Sequence, residues 1–174
     1  MTLSLYDASI PGFIHGLRQV DHFLDKAQVH VESSGGDTAA LVDARLAPDM
    51  LPLSGQIQRA SDTSKLSGQR LSGVASPAMP DNERSFEDLK ARIAATIDYL
   101  QTLTREQIDG NAESPVTLNF GKWTVGFSGR DYLLQFALPN FQFHVVTAYA
   151  ILRHHGVPLG KLDFLGRIGT PVEA

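Results

Sequence analysis

Residues 128–158 read SGRDYLLQFALPNFQFHVVTAYAILRHHGVP, and this stretch decides the fold. Ser128 is a residue type that caps helix N-termini, and Asp131 follows where a carboxylate meets the positive end of the helix dipole. Gly156 with Pro158 beyond is a usual helix stop. Phe141, Val145, Ala148, Tyr149 and Leu152 recur at three- and four-residue steps, which is one face of a helix. Pro139 lies inside the segment. It lacks an N–H and its ring crowds the carbonyl four residues back, so a kink or break is expected near Leu138.

Immediately upstream the period changes. Val116, Leu118 and Phe120 alternate with Thr117 and Asn119, and after Gly121-Lys122 the apolar set Trp123, Val125 and Phe127 alternates with Thr124 and Gly126. Period two on both sides of a glycine turn predicts a β-hairpin. A lone hairpin is marginal in water, so its apolar face must pack on helices. Further upstream, Ser85 can cap a helix with Asp88 at the third position of a capping box, and Phe86, Leu89, Ile93, Ile97 and Leu100 form its stripe. Thr104 to Ile108 adds one turn.

A second long helix is expected from about Asp49 to Leu71, with Pro52 in its first turn. Another is expected from about Ser9 to Val31, with Ser9 as cap, Pro11 in the first turn and Phe13, Leu17, Val20, Leu24 and Ala27 buried. A short turn is expected within 37–46, and 72–83 is a loop broken by Pro77 and Pro80. The Gly-rich tail from Val157 onward is expected to fold back through Leu159, Leu162, Phe164 and Leu165. The reading is an all-α, single-domain four-helix bundle over residues 1–174, with a β-hairpin inserted before the last helix.

Composition agrees. The 174 residues are 43% apolar and 20% charged, with 15 basic and 19 acidic side chains and a net charge of −4. These are ordinary values for one globular domain. No basic face suited to a phosphate backbone is visible, so nucleic acid is not expected as a partner. The absence of cysteine removes disulfides, thiolate nucleophiles and thiolate metal sites. The first ten residues lack a basic n-region, and the longest apolar run is too short for a bilayer. A cytoplasmic protein with no membrane partner is expected.

Six histidines are the main source of acid–base or metal chemistry. His15 and His22 share one face of the first helix at the border of its stripe, His30 lies near that helix's end, and His154 and His155 suit the negative end of the last helix. These positions need no function. His144 differs, because it sits mid-helix between aromatics, just after the proline. Two readings stand. His144 lines an internal pocket as a metal ligand or general base, or it is a satisfied core histidine, which is the commoner case. A helical two-histidine metal site wants its second ligand one turn on. Position 148 is Ala148 and position 140 is Asn140. Asp62 on the second helix is the one further candidate ligand, unless it pairs with Arg59 or Lys65 instead. Should Asp62 reach His144, a raised histidine pKa is expected. The candidate pocket is therefore His144, Asp62, Asn140, Tyr149 and Trp123.

Three segments carry a resemblance. They are Leu138–Lys161, Ala44–Leu53 (ARLAPDMLPL) and Phe127–Leu133 (FSGRDYL). Together they resemble the bacterial domain-of-unknown-function family DUF1993, itself similar to the DinB/YfiT-like metalloenzyme superfamily. The resemblance implies a four-helix bundle and, in many members, a dimer. It also implies a divalent metal, such as zinc or nickel, held by three histidines, one on the second helix and two at i and i+4 on the last, with thiol-dependent transferases or isomerases among the members. Carried onto this sequence, His144 matches the first histidine of the last-helix pair, Ala148 stands at the second, and Asp62 is the nearest equivalent on the second helix. The expectation is a DinB-like homodimer without cofactor that binds a small molecule or serves in stress. The alternative is a metal- or thiol-dependent transferase with a degenerate metal site. Leu51, Leu66 and Ile151, outside the main stripes, are the residues expected at a dimer surface.

Overall fold

In the computed structural model, residues 4–166 are described; the part of the expected tail at 167–174 lies outside them. The element order is α1 (Leu5–Ser34), α2 (Thr38–Val42), α3 (Leu53–Ser72), α4 (Phe86–Gln101), α5 (Arg105–Asp109), β1 (Pro115–Asn119), β2 (Thr124–Ser128), α6 (Gly129–Asp131), a π-helical segment (Tyr132–Ala137), α7 (Leu138–His154) and α8 (Lys161–Leu165). Helix α1 packs on α4 and α7, and α3 packs on the same two, so α1 and α3 face each other diagonally across a four-helix bundle. No helix among the described residues is long and apolar enough to cross a membrane.

Two helix starts differ from the sequence expectation, one set by a serine cap and one by a proline. Helix α1 begins at Leu5, with Ser4 accepting from the Asp7 amide. Ser9 is fully buried and donates to the Leu5 carbonyl at 2.7 Å. Pro11 is therefore interior. The bond it cannot make would fall on the carbonyl of Asp7, an exposed residue at the solvent side of the helix's first turns. Helix α3 begins at Leu53, with Pro52 as its cap. The residue before a proline avoids the helical region, so Leu51 cannot lie inside a helix that runs into Pro52. Residues 47–50 close instead as a turn, Met50 N donating to Ala47 O at 3.0 Å. Helices α4 and α5 both carry full capping boxes, Ser85 with Asp88 and Thr104 with Gln107.

The last helix does not break at Pro139. It widens. Residues Tyr132–Ala137 form a π turn, and the Leu138 amide reaches back five residues to Leu133 O. The wider turn moves the carbonyl that the proline ring would otherwise strike.

The core runs the length of the bundle through Phe13, Leu17, Leu24, Ile57, Leu71, Leu89, Ile93 and Phe141, each at most 1% exposed. Phe13 meets Phe141 edge-on, with ring centroids 5.0 Å apart and planes at 78°, a favoured aromatic geometry. Gly16 permits this approach. A Cβ there would lie 2.5 Å from Phe141 Cε1.

The hairpin is antiparallel, with Val116 opposite Phe127 and Leu118 opposite Val125. Val116 and Leu118 are buried, and Phe127 packs edge-on to the buried Tyr132. The tail returns to the bundle in part. Leu159 is buried and Phe164 stacks near Phe23, whereas Leu162 is 71% exposed and Leu165 also faces solvent.

Candidate functional site

Helix α3 presents a run of small buried residues, Ser54, Gly55, Ser61, Ser64, Ser67 and Gly68, to its neighbours. Small side chains let backbones approach and leave the longer side chains among them to bridge the seam. Gln56 is one, at 1% exposure. Across from it on α7 sits His144, 9% exposed. Its Nδ1 lies 2.8 Å from Gln56 Oε1. One turn earlier on α7, Asn140 Nδ2 donates to Thr63 Oγ1 at 2.7 Å, and Thr63 in turn donates to the Arg59 carbonyl. The α3–α7 seam thus carries two side-chain bridges, Gln56–His144 and Thr63–Asn140.

Burial first, and then the charge of Arg59, lowers the His144 pKa from 6.5 to about 4. Both causes disfavour the imidazolium, so His144 is neutral at physiological pH. The rise expected of an aspartate–histidine pair is absent because the pair does not form. Asp62 belongs to a different network. It meets Arg92 Nη2 at 2.7 Å, Lys65 Nζ at 3.1 Å and Arg59 Nη2 at 3.1 Å. Arg92, its side chain 2% exposed, also binds Glu83 at 2.8 Å and Asp81 at 3.1 Å, and Arg59 also pairs with Asp81. Three cations and three carboxylates balance. Burial tends to raise the Glu83 pKa, but hydrogen bonds from Arg92 and Gln58 outweigh it and lower it. This network ties the 74–84 loop to α3 and α4.

The remaining expected pocket residues lie elsewhere. Trp123 sits at the hairpin tip, 61% exposed and stacked on Phe120 at 4.8 Å. Tyr149 faces α1 and α8, edge-on to Phe23 and Phe164. The five residues proposed as one pocket therefore split four ways, and only His144 and Asn140 share the seam. A hollow of about 410 Å³ lies beside Leu5, Ala8, Asp109, Ala112, Arg130 and Leu133. Another, of about 270 Å³, lies between α7 and α8 beside Val146, Tyr149, Lys161 and Phe164. His144 lines neither.

Two of the α1 histidines are structural ties. His15 Nε2 is 3.0 Å from the Leu165 carbonyl, and His22 Nε2 is 2.8 Å from Asp163 Oδ1, which Lys26 also holds at 3.0 Å. They fasten α8 to α1. Sequence reasoning missed Gln56 as the partner of His144. The available signal was a long amide amid a small-residue run on the buried side of α3.

The donor set does not fit a resident divalent metal. One imidazole is present, its one-turn partner is Ala148 at 1% exposure, and the carboxylate on α3 is already bound to three cations. Amide and hydroxyl oxygens complete the seam, and these are poor ligands for zinc or nickel.

The family model described as "Domain of unknown function (DUF1993)" matches residues 5–165. The chain belongs to the DUF1993 family. A crystal structure of a DinB family member protein from Shewanella denitrificans is similar to this DUF1993 chain with a TM-score of 0.89 and 33% identity, over 97% of this chain and 96% of that one. The DinB-like bundle read from the sequence is thereby shown. No curated protein matches the chain.

Proposed function

We propose that this DUF1993 chain is a metal-independent DinB-like protein that binds a small molecule at the α3–α7 seam and pairs with a second copy beside it. The observation that carries the reading is the Gln56–His144 hydrogen bond. It engages the histidine that corresponds to a metal ligand in the wider superfamily, and no second ligand stands one turn away. A neutral imidazole bridged to an amide is a group for hydrogen-bonded recognition. The second-copy component rests on α7. Residues 132–152 contain no Asp, Glu, Lys or Arg, so two copies of a chain with net charge −4 can meet there without like-charge repulsion. Val146 is 48% exposed on this helix, and Leu51 is 44% exposed before α3. Ile151, expected at such a surface, is fully buried and plays no part in it.

The test is metal content. Untagged protein purified without chelators should hold no stoichiometric divalent metal, and its melting temperature should not move with added zinc or nickel. Near-stoichiometric zinc, nickel or manganese that disappears in His144→Ala would overturn this reading in favour of a metal- or thiol-dependent transferase. Light scattering that gives a monomer at high micromolar concentration would remove the second copy.

A further inference from the structure

The Gln56 amide has one orientation that satisfies both of its neighbours. Its Nε2 donates to the Leu51 carbonyl at 3.1 Å, so Oε1 is the atom 2.8 Å from His144 Nδ1. An amide oxygen only accepts, and Nδ1 must therefore carry the ring proton. A neutral imidazole has a single N–H, so Nε2 is left with a bare lone pair. Nε2 makes no hydrogen bond among the described residues. None of their side-chain nitrogens or oxygens is both sealed from solvent and unpartnered, so Nε2 is not fully sealed from solvent. Beside it stands Phe143, whose ring is edge-on to the imidazole with centroids 5.2 Å apart and planes at 81°.

We infer that the seam reads a hydrogen-bond donor: its ligand presents a neutral O–H or N–H group to His144 Nε2 and an apolar body to Phe143, and Gln56 is the positioning residue that fixes the tautomer. The inference rests on the small-molecule reading above and gives it a ligand class. Alcohols, phenols and amides belong to that class. Ethers and carboxylates set lone pair against lone pair, and ammonium groups meet the positive field of Arg59, which helps hold His144 neutral. The chemistry follows from the same state. With a pKa of about 4, His144 is protonated at pH 7 in roughly one molecule in a thousand. That makes it a steady acceptor and a weak general base.

Phenol and anisole share one ring and differ in the donor, so they are the probes. Both are titrated at pH 8 into full-length protein while the His144 ring resonances are followed by NMR, whose nitrogen correlations also report the tautomer. The expected result is an Nδ1–H tautomer and phenol binding about tenfold more tightly than anisole, the worth of one neutral hydrogen bond. In Gln56→Leu the tautomers mix and the preference falls to about twofold. Equal binding of phenol and anisole, or an Nε2–H tautomer in the wild type, overturns the donor inference and leaves small-molecule binding standing. If neither probe shifts His144 at millimolar concentration, both the inference and the binding role at this seam fall.

Discussion

Acid should find His144 before it finds the carboxylates. In the folded chain its pKa is about 4, against 6.5 for the free side chain. Between those values the unfolded chain binds a proton that the folded chain refuses, so stability is full above pH 6.5 and declines as the pH falls toward 4. The magnitude follows from the two constants. At pH 4.5 protonation favours the unfolded chain by a factor of about 100 and the folded chain by about 1.3, a difference of about 2.5 kcal/mol. At pH 7.5 the same expression is close to zero. Glu83 and Glu106, both lowered from 4.5, begin to lose their contribution inside this window, but equally in wild type and variant. Arg105 lowers the Asp7 pKa to about 2, and the hydrogen bond from His22, foremost, lowers that of Asp163. Groups lowered from near 3.8 lose their contribution only below that pH. Urea unfolding at pH 7.5 and 4.5, run on wild type and His144→Gln, isolates the term, provided the denaturant slope stays constant. Wild type should lose about 2.5 kcal/mol more than the variant. Parallel losses would show that His144 is not desolvated and that the seam is wet.

Two further outcomes follow from the packing. Arg92→Met should cost about 3–5 kcal/mol in chemical denaturation at pH 7, because it strands Glu83 without its cation, and the cost should shrink at pH 4 as Glu83 protonates; a loss under about 1 kcal/mol would mean the six-charge network does not hold the 74–84 loop. Gly129→Ala would place a Cβ 2.2 Å from the Asn111 carbonyl oxygen, a backbone atom that cannot swing aside, so the hairpin–helix junction should shift at a cost of about 1–3 kcal/mol. Gly126→Ala meets nothing within 4 Å and serves as the thermal-melting control; equal melting temperatures for the two variants would refute the account of the junction.

Most of the scaffold could be read from the chain because local rules and tertiary packing agree there. The Ser85–Asp88 box, the alternation flanking Gly121 and the stripe Phe86–Leu100 each demand one local structure, and the bundle uses all three. The errors cluster at proline. Putting Pro11 and Pro52 in a first turn placed the start of α1 at Ser9 and that of α3 at Asp49, whereas Ser4 caps α1 with Pro11 interior and Pro52 itself caps α3. The site was less legible. His144 stood out by its setting, but its partner lies 88 residues earlier on another helix, and no period in α7 points to Gln56. Asp62 illustrates the opposite case. Local charge already offered it Arg59 and Lys65, and the structure adds Arg92 from α4, a contact across the bundle that one-dimensional spacing cannot show.

The π turn joins these two observations. Leu133, Ala137, Phe141 and Val145 are all buried and advance by four residues at each step. An uninterrupted α-helix turns about 100° per residue, so three such steps overshoot by about 120°. Val145 and the adjacent His144 would then swing a third of a turn away from the line set by Leu133. The wider turn at 132–137 takes up the excess and keeps both ends of the helix on the bundle. Pro139 makes that wider turn favourable by removing the amide and crowding the carbonyl that a regular turn would use. The proline therefore does more than interrupt a helix. It sets the rotation that brings His144 against Gln56, so the scaffold keeps this histidine facing the seam with the small, buried Ala148 one turn on.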